Sequence, residues 1–87
     1  MYKLKIKPTA DRAFKKLAKK DKKQLRRIDA KIKEILENPY RFKPMRYPLD
    51  GCRRIHVGSF VILYEIDEAN STVTILDYDH HDNIYEK

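Results

Sequence analysis

Residues 52–67 read Cys52-Arg53-Arg54-Ile55-His56-Val57-Gly58-Ser59-Phe60-Val61-Ile62-Leu63-Tyr64-Glu65-Ile66-Asp67. Two runs rich in β-branched and aromatic residues flank a Gly-Ser pair, the pattern of a hairpin with a two-residue turn. With Gly58 and Ser59 at the centre, Val57 faces Phe60, Ile55 faces Ile62 and Arg53 faces Tyr64, while His56 pairs with Val61 and Arg54 with Leu63. Side chains alternate across a strand. Ile55, Val57, Phe60, Ile62 and Ile66 therefore belong to a face covered by the core, and Arg54, His56, Val61 and Leu63 to the opposite face, expected to be open.

Upstream of the hairpin, Tyr2, Leu4 and Ile6 alternate with lysines in the period of a strand, which Pro8 ends. Thr9 is a candidate cap for a helix carrying Ala10, Ala13, Phe14, Leu17 and Ala18 at helical spacing as far as about Lys19. Asp21 is the next cap. Leu25, Ile28, Ile32, Ile35 and Leu36 then form an apolar stripe, with Lys23, Arg26, Arg27, Lys31 and Lys33 on the remaining surface, and Asn38-Pro39 stops the helix. From Tyr40 to Leu49, Pro44 and Pro48 leave room for a short edge strand only. Asp50-Gly51 marks a turn, Thr72 to Tyr78 reads as the last strand, and residues 82–87 form a tail. The order β-α-α-β-β-β defines an α+β class: an N-terminal strand, a two-helix hairpin, and then antiparallel strands, forming a small curved sheet with the helices on one face.

The 87 residues suit one domain, 1–87. No apolar run approaches the roughly 18 residues of a membrane span, and the N-terminus has no signal-peptide core. A cytoplasmic protein with no membrane association is expected. Cys52 is the only cysteine, which leaves no intrachain disulfide and no thiolate metal site, and it reads as a small buried hydrophobe.

Charge is distributed unevenly. Residues 1–47 carry 17 Lys and Arg against 5 Asp and Glu, whereas residues 48–87 carry 3 against 8. A basic half of this kind favours a polyanion such as RNA, and lysines that merely solvate a helix are the alternative. No phosphate loop, paired-cysteine zinc pattern or nucleophile elbow is present. Basic and ionisable groups remain: Arg54, His56, His80, His81 and Tyr85. RNA cleavage through its own 2′-hydroxyl needs a proton acceptor, a proton donor and positive charge beside the phosphate, which histidine and arginine supply. His80-His81 with Asp79 and Asp82 is a second option, a metal site. Adjacent residues seldom all turn toward one ion, so no metal and no cofactor are expected.

These motifs together resemble the RelE/ParE toxin superfamily. Phe14-Lys15-Lys16-Leu17 and Ile35-Leu36-Glu37-Asn38-Pro39 look like its helical half, residues 54–66 its central hairpin, and His80 to Tyr85 its carboxy-terminal motif. The resemblance covers nearly the whole chain. It implies an inward-curved sheet, a ribosome-dependent endoribonuclease that cuts messenger RNA in the decoding site, no metal, and a RelB-like antitoxin bound in a heteromer. It assigns catalysis to Arg54, His56, His81 and Tyr85, with RNA binding by Arg53, Lys23, Arg26, Arg27, Lys43, Arg46 and His80. The sequence departs from the family where Val61 and Asp82 stand at usually basic positions. A ParE-like toxin that binds DNA gyrase without cutting RNA, or a catalytically decayed homologue, is the alternative.

Overall fold

The computed structural model describes residues 1–84. Strand β1 (Lys3–Ile6) leads into α1 (Pro8–Lys20) and α2 (Lys22–Glu37), then a 3₁₀ turn (Pro39–Arg41), β2 (Lys43–Pro44), β3 (Cys52–Val57), β4 (Phe60–Asp67), β5 (Thr72–His80) and α3 (His81–Ile84). Pro8 both ends β1 and opens α1 as its first residue, where its fixed φ suits the helix and its missing N–H is not needed. Thr9 thus lies inside the helix rather than capping it. Asp21 closes one helix and starts the next: its backbone N–H donates to the Leu17 carbonyl at 2.8 Å, and its carboxylate accepts from Gln24 N at 3.1 Å. This shared cap makes the helical hairpin tight.

The five strands form one sheet in the order β1-β5-β4-β3-β2. The hairpin register agrees with the sequence reading at every expected pair, from Arg53 opposite Tyr64 to Val57 opposite Phe60. The strands after the helical hairpin are antiparallel, as the sequence predicts, and the N-terminal strand β1 runs parallel to β5. The chain reverses at each connection, so its first and last strands point the same way and meet at an edge. β5 also continues two residues beyond Tyr78, to His80.

Helices α1 and α2 cover one face. Phe14, Ile28, Ile32 and Ile35 pack there against Ile55, Val57, Ile62, Tyr64, Val73, Ile75 and Tyr78. Ile66 is partly buried in this core. Phe60 stays 37% exposed, stacked on the Tyr78 ring at 5.1 Å.

The opposite face is not open along its length. Val61 and Leu63 are buried beneath Ile84 of α3, with Met45, Leu49, Cys52 and Leu76 around them. The physical reason is plain in the side chains: two large apolar groups side by side on a sheet draw whatever apolar chain is within reach. A bulge helps, because the register passes from Leu63–Asp77 to Tyr64–Ile75 and leaves Leu76 unpaired, packed on this second cluster. The segment read as a tail therefore includes a short helix with a structural task. Cys52 joins the cluster, and burial pushes its thiol pKa up.

Tyr64 is fully buried and its hydroxyl donates to the Pro39 carbonyl at 2.6 Å, tying the end of α2 to the centre of the sheet. Tyr64→Phe removes a buried hydrogen bond and is expected to lower stability by about 0.5–1.5 kcal/mol. Urea unfolding checks this, and an unchanged midpoint would remove the bond from the account.

Candidate nucleic-acid interface

Alternation along β3 sends Arg54 and His56 to the face away from the helices and Arg53 to the helix side. The edge strand adds Lys43 directly opposite Arg54. Behind it, the segment 45–49 curls back, with Met45 N–H donating to Cys52 O at 2.9 Å. A groove of about 480 Å³ results, lined by Lys43, Arg46 and Arg54 with Met45, Tyr47 and Leu49 among them. Tyr47 is 88% exposed. An uncovered ring amid three cations suits a base that stacks and a backbone that is negative. Sequence reasoning passed over Tyr47. Its signal was an aromatic between Arg46 and Pro48 in an irregular basic stretch, where no packing role was available.

The Arg54 guanidinium donates to His56 Nε2. Arginine cannot accept, so Nε2 is the acceptor, and the neutral ring carries its proton on Nδ1. Partial burial, then the charges of Arg54 and His81, hold the His56 pKa below the ordinary 6.5. His81 is placed at the same end of the hairpin, against the turn that follows Val57. His81 itself is fixed by the turn: its backbone N–H donates to Ser59 O at 3.1 Å, and its Nδ1 faces the same carbonyl at 3.2 Å. Its Nε2 lies 2.9 Å from Asp82 Oδ1. Asp82 is thus no bare anion, since its other oxygen lies 3.5 Å from His80 Nδ1. The His80 ring stands 4.5 Å from that of His81 and edge-on to Phe60.

The structure brings Arg54 and His56 into contact, with Lys43 and Arg46 in the groove beside Arg54, and it pairs His81 with His80, whose position opposite Phe60 puts it on the helix side of β5. It does not bring Arg53 to them. That guanidinium donates to the Phe42 carbonyl at 2.7 Å and the Tyr40 carbonyl at 3.1 Å, with its carbon 5.2 Å from the Tyr40 ring centre, and so belongs to the fold on the helix side. Lys23, Arg26 and Arg27 are exposed on α2, across the sheet from the groove. Of these, Arg27 comes nearest the hairpin turn, lining a cleft of about 400 Å³ with Gly58, Ser59 and Phe60. Tyr85 lies outside the described residues. No described helix is long and apolar enough to cross a membrane.

A mixed five-stranded sheet with one face under a helical hairpin is a fold shared with RelE-like toxins. The pattern of the ParE toxin of type II toxin–antitoxin systems, parDE, matches residues 4–85, and the chain belongs to that family. It shares 47% identity over 88 residues with RelE4 of Methanocaldococcus jannaschii, covering 100% of this chain and 94% of that one. Among solved structures, the toxin–antitoxin complex RelBE2 of Mycobacterium tuberculosis is 31% identical with a TM-score of 0.69, covering 92% of this chain and 98% of that chain. The YoeB/ParE toxin of Agrobacterium tumefaciens superposes with a TM-score of 0.84 at 12% identity, covering 91% and 98% of the respective chains, a likeness of fold. This chain is a toxin of the type II toxin–antitoxin class within the RelE/ParE superfamily.

The depressed His56 pKa is directly measurable. Following the ring by NMR through a pH titration should give a midpoint below 6.5. Arg54→Gln removes one nearby charge and should raise the midpoint, while leaving it below 6.5 because burial, the largest cause, remains. A parent midpoint at or above 6.5 would contradict the geometry.

Proposed function

We propose that this toxin is a ribosome-dependent endoribonuclease that cuts messenger RNA in the decoding site and thereby stops translation. The observation that carries the reading is the pairing of Arg54 with His56 beside a groove of further cations, with His81 held against the turn at the same end of the hairpin. In this mechanism Lys43 and Arg46 hold phosphates of the single strand and Tyr47 stacks on a base. Arg54 leaves His56 for a non-bridging oxygen of the scissile phosphate, which frees the Nε2 lone pair. Neutral His56 then takes the proton of the 2′-hydroxyl, and the 2′-oxygen bonds to phosphorus. His81, whose two ring nitrogens both face acceptors and which therefore donates from both when protonated, gives a proton to the departing 5′-oxygen as the P–O5′ bond breaks. The products are a 2′,3′-cyclic phosphate and a 5′-hydroxyl, and Arg54 balances the charge that grows on the phosphate. The side chains carry the chemistry with no cofactor. Tyr85, by its place in the family's carboxy-terminal motif, is assigned a contact to base or phosphate.

We further propose a RelB-like antitoxin as the cytoplasmic partner, forming a toxin–antitoxin heteromer. The solved M. tuberculosis relative is such a complex, and the exposed lysines of α1 and α2 offer complementary charge to an acidic helix. One observation favours a second reading. Val61, at a position that is commonly arginine in the family, is fully buried in the second cluster and offers no charge to a phosphate. With the match to the ParE pattern, this supports a non-cleaving toxin that binds DNA gyrase, or a decayed nuclease.

Cleavage of a defined message programmed into ribosomes, compared with the same RNA free in solution, separates these readings. Ribosome-dependent cuts are expected, with Arg54→Ala and His56→Ala each lowering the rate by about 100-fold or more. The sign of the pH effect on the acidic limb follows from His56: its proton must be off for it to act as base, so that limb of the rate profile should rise with pH through a midpoint below 6.5. An intact message in the presence of folded toxin moves the assignment to the gyrase-binding or decayed alternative.

A further inference from the structure

Three donor atoms from consecutive residues meet where β5 runs into α3. His80 Nδ1 lies 3.5 Å from Asp82 Oδ2, and His81 Nε2 lies 2.9 Å from Asp82 Oδ1. The ligand atoms of the three residues all fall within 4.8 Å of one another. A tetrahedral ion with nitrogen and oxygen ligands at about 2.0–2.2 Å spaces its donors about 3.3 Å apart. Two of the pairs already stand near that spacing. The sequence argument against a metal here was that neighbouring side chains point different ways. A change from strand to helix between His80 and His81 is what turns them together.

The hydrogen bonds set the rings in the form a ligand needs. His80 Nδ1 accepts from Asp82 N at 3.3 Å, which puts its lone pair on the Asp82 side. His81 presents Nδ1 to the Ser59 carbonyl, and a carbonyl only accepts, so Nδ1 keeps its hydrogen; Nε2, 2.9 Å from the Asp82 carboxylate, is the nitrogen that can exchange a proton for an ion. A backbone carbonyl on the far nitrogen is the usual outer partner of a metal-binding histidine, fixing both tautomer and ring orientation.

We propose that His80 Nδ1, His81 Nε2 and the Asp82 carboxylate form a binding site for a divalent ion of the Zn²⁺ type, with water completing the coordination. Two imidazoles and one carboxylate select a borderline ion over Mg²⁺ or Ca²⁺, which take oxygen. The ion displaces the proton that His81 Nε2 shares with Asp82, so binding releases protons and weakens on acidification. It also removes His81 as a proton donor, a consequence that rests on the nuclease reading, whereas binding itself does not.

The test uses the untagged chain freed of metal, without RNA or ribosomes. Titration with Co²⁺ followed by visible absorption, and with Zn²⁺ by calorimetry, should show one saturable ion per chain, bound more weakly at pH 6 than at pH 7.5. His80→Gln and Asp82→Asn should each weaken binding at least tenfold while His56→Ala leaves it unchanged, all judged on variants whose circular dichroism matches the parent. Ring nitrogen signals of His80 and His81 in the parent should move on Zn²⁺ addition, a readout that needs no variant. No saturable binding, equal affinity in His80→Gln, or unmoved signals from these two rings would overturn the site. Because RNA is absent, either result leaves the cleavage assay to judge the nuclease independently.

Discussion

Gly58 adopts φ of +66° at the first central position of the β3–β4 connection, a conformation that side-chain-bearing residues rarely adopt and that a type II′ hairpin turn requires there. That turn fixes Val57 opposite Phe60, and every other placement on the sheet follows from it. A slip of one residue would exchange the faces, burying Arg54 and His56 under the helices and presenting Ile55 and Val57 to solvent. Core and site are therefore written into the same register: the helix-side residues penalise a slip, and the groove-side residues make use of its absence. The Ser59 carbonyl adds a second function to the turn, since it receives both the backbone N–H and the Nδ1 of His81.

Packing on the second face has a matching effect. Ile84 is fully buried over Val61 and Leu63, and α3 is only four residues long, too short to hold itself together. Burial of Ile84 is what anchors it, and α3 in turn begins with His81. The apolar Val61, which costs this face a cation, thus contributes to the platform that positions an imidazole. Loss of one charged group and gain of another fixed group come from the same contact.

Most of the architecture was legible because it rests on short-range rules. The hairpin pairs, the caps at Asp21 and Asn38, the edge strand limited by Pro44 and the apolar stripe of α2 follow from alternation, helical period and turn chemistry. What escaped depends on contacts between distant segments. No local pattern tells that β1 meets β5 in parallel, that Ile84 folds back over Val61, or that Leu76 bulges out of register. The same limit applies to the site. Arg54 and His56 are on one face by parity alone, and that much is visible in the sequence. The diversion of Arg53 into the Tyr40 and Phe42 carbonyls, and the gathering of His80, His81 and Asp82, need the third dimension.

Asp82 shows why identity at a position is a poor guide to its charge effect. Taken singly, a carboxylate where the family usually has a base repels a phosphate. In place, its two oxygens face two imidazoles, and its field acts first on them. The carboxylate oxygens stand 2.9 and 3.5 Å from imidazole nitrogens, and since a Coulomb interaction falls with distance, the groups that feel this charge most are its own chain neighbours and not a ligand further off.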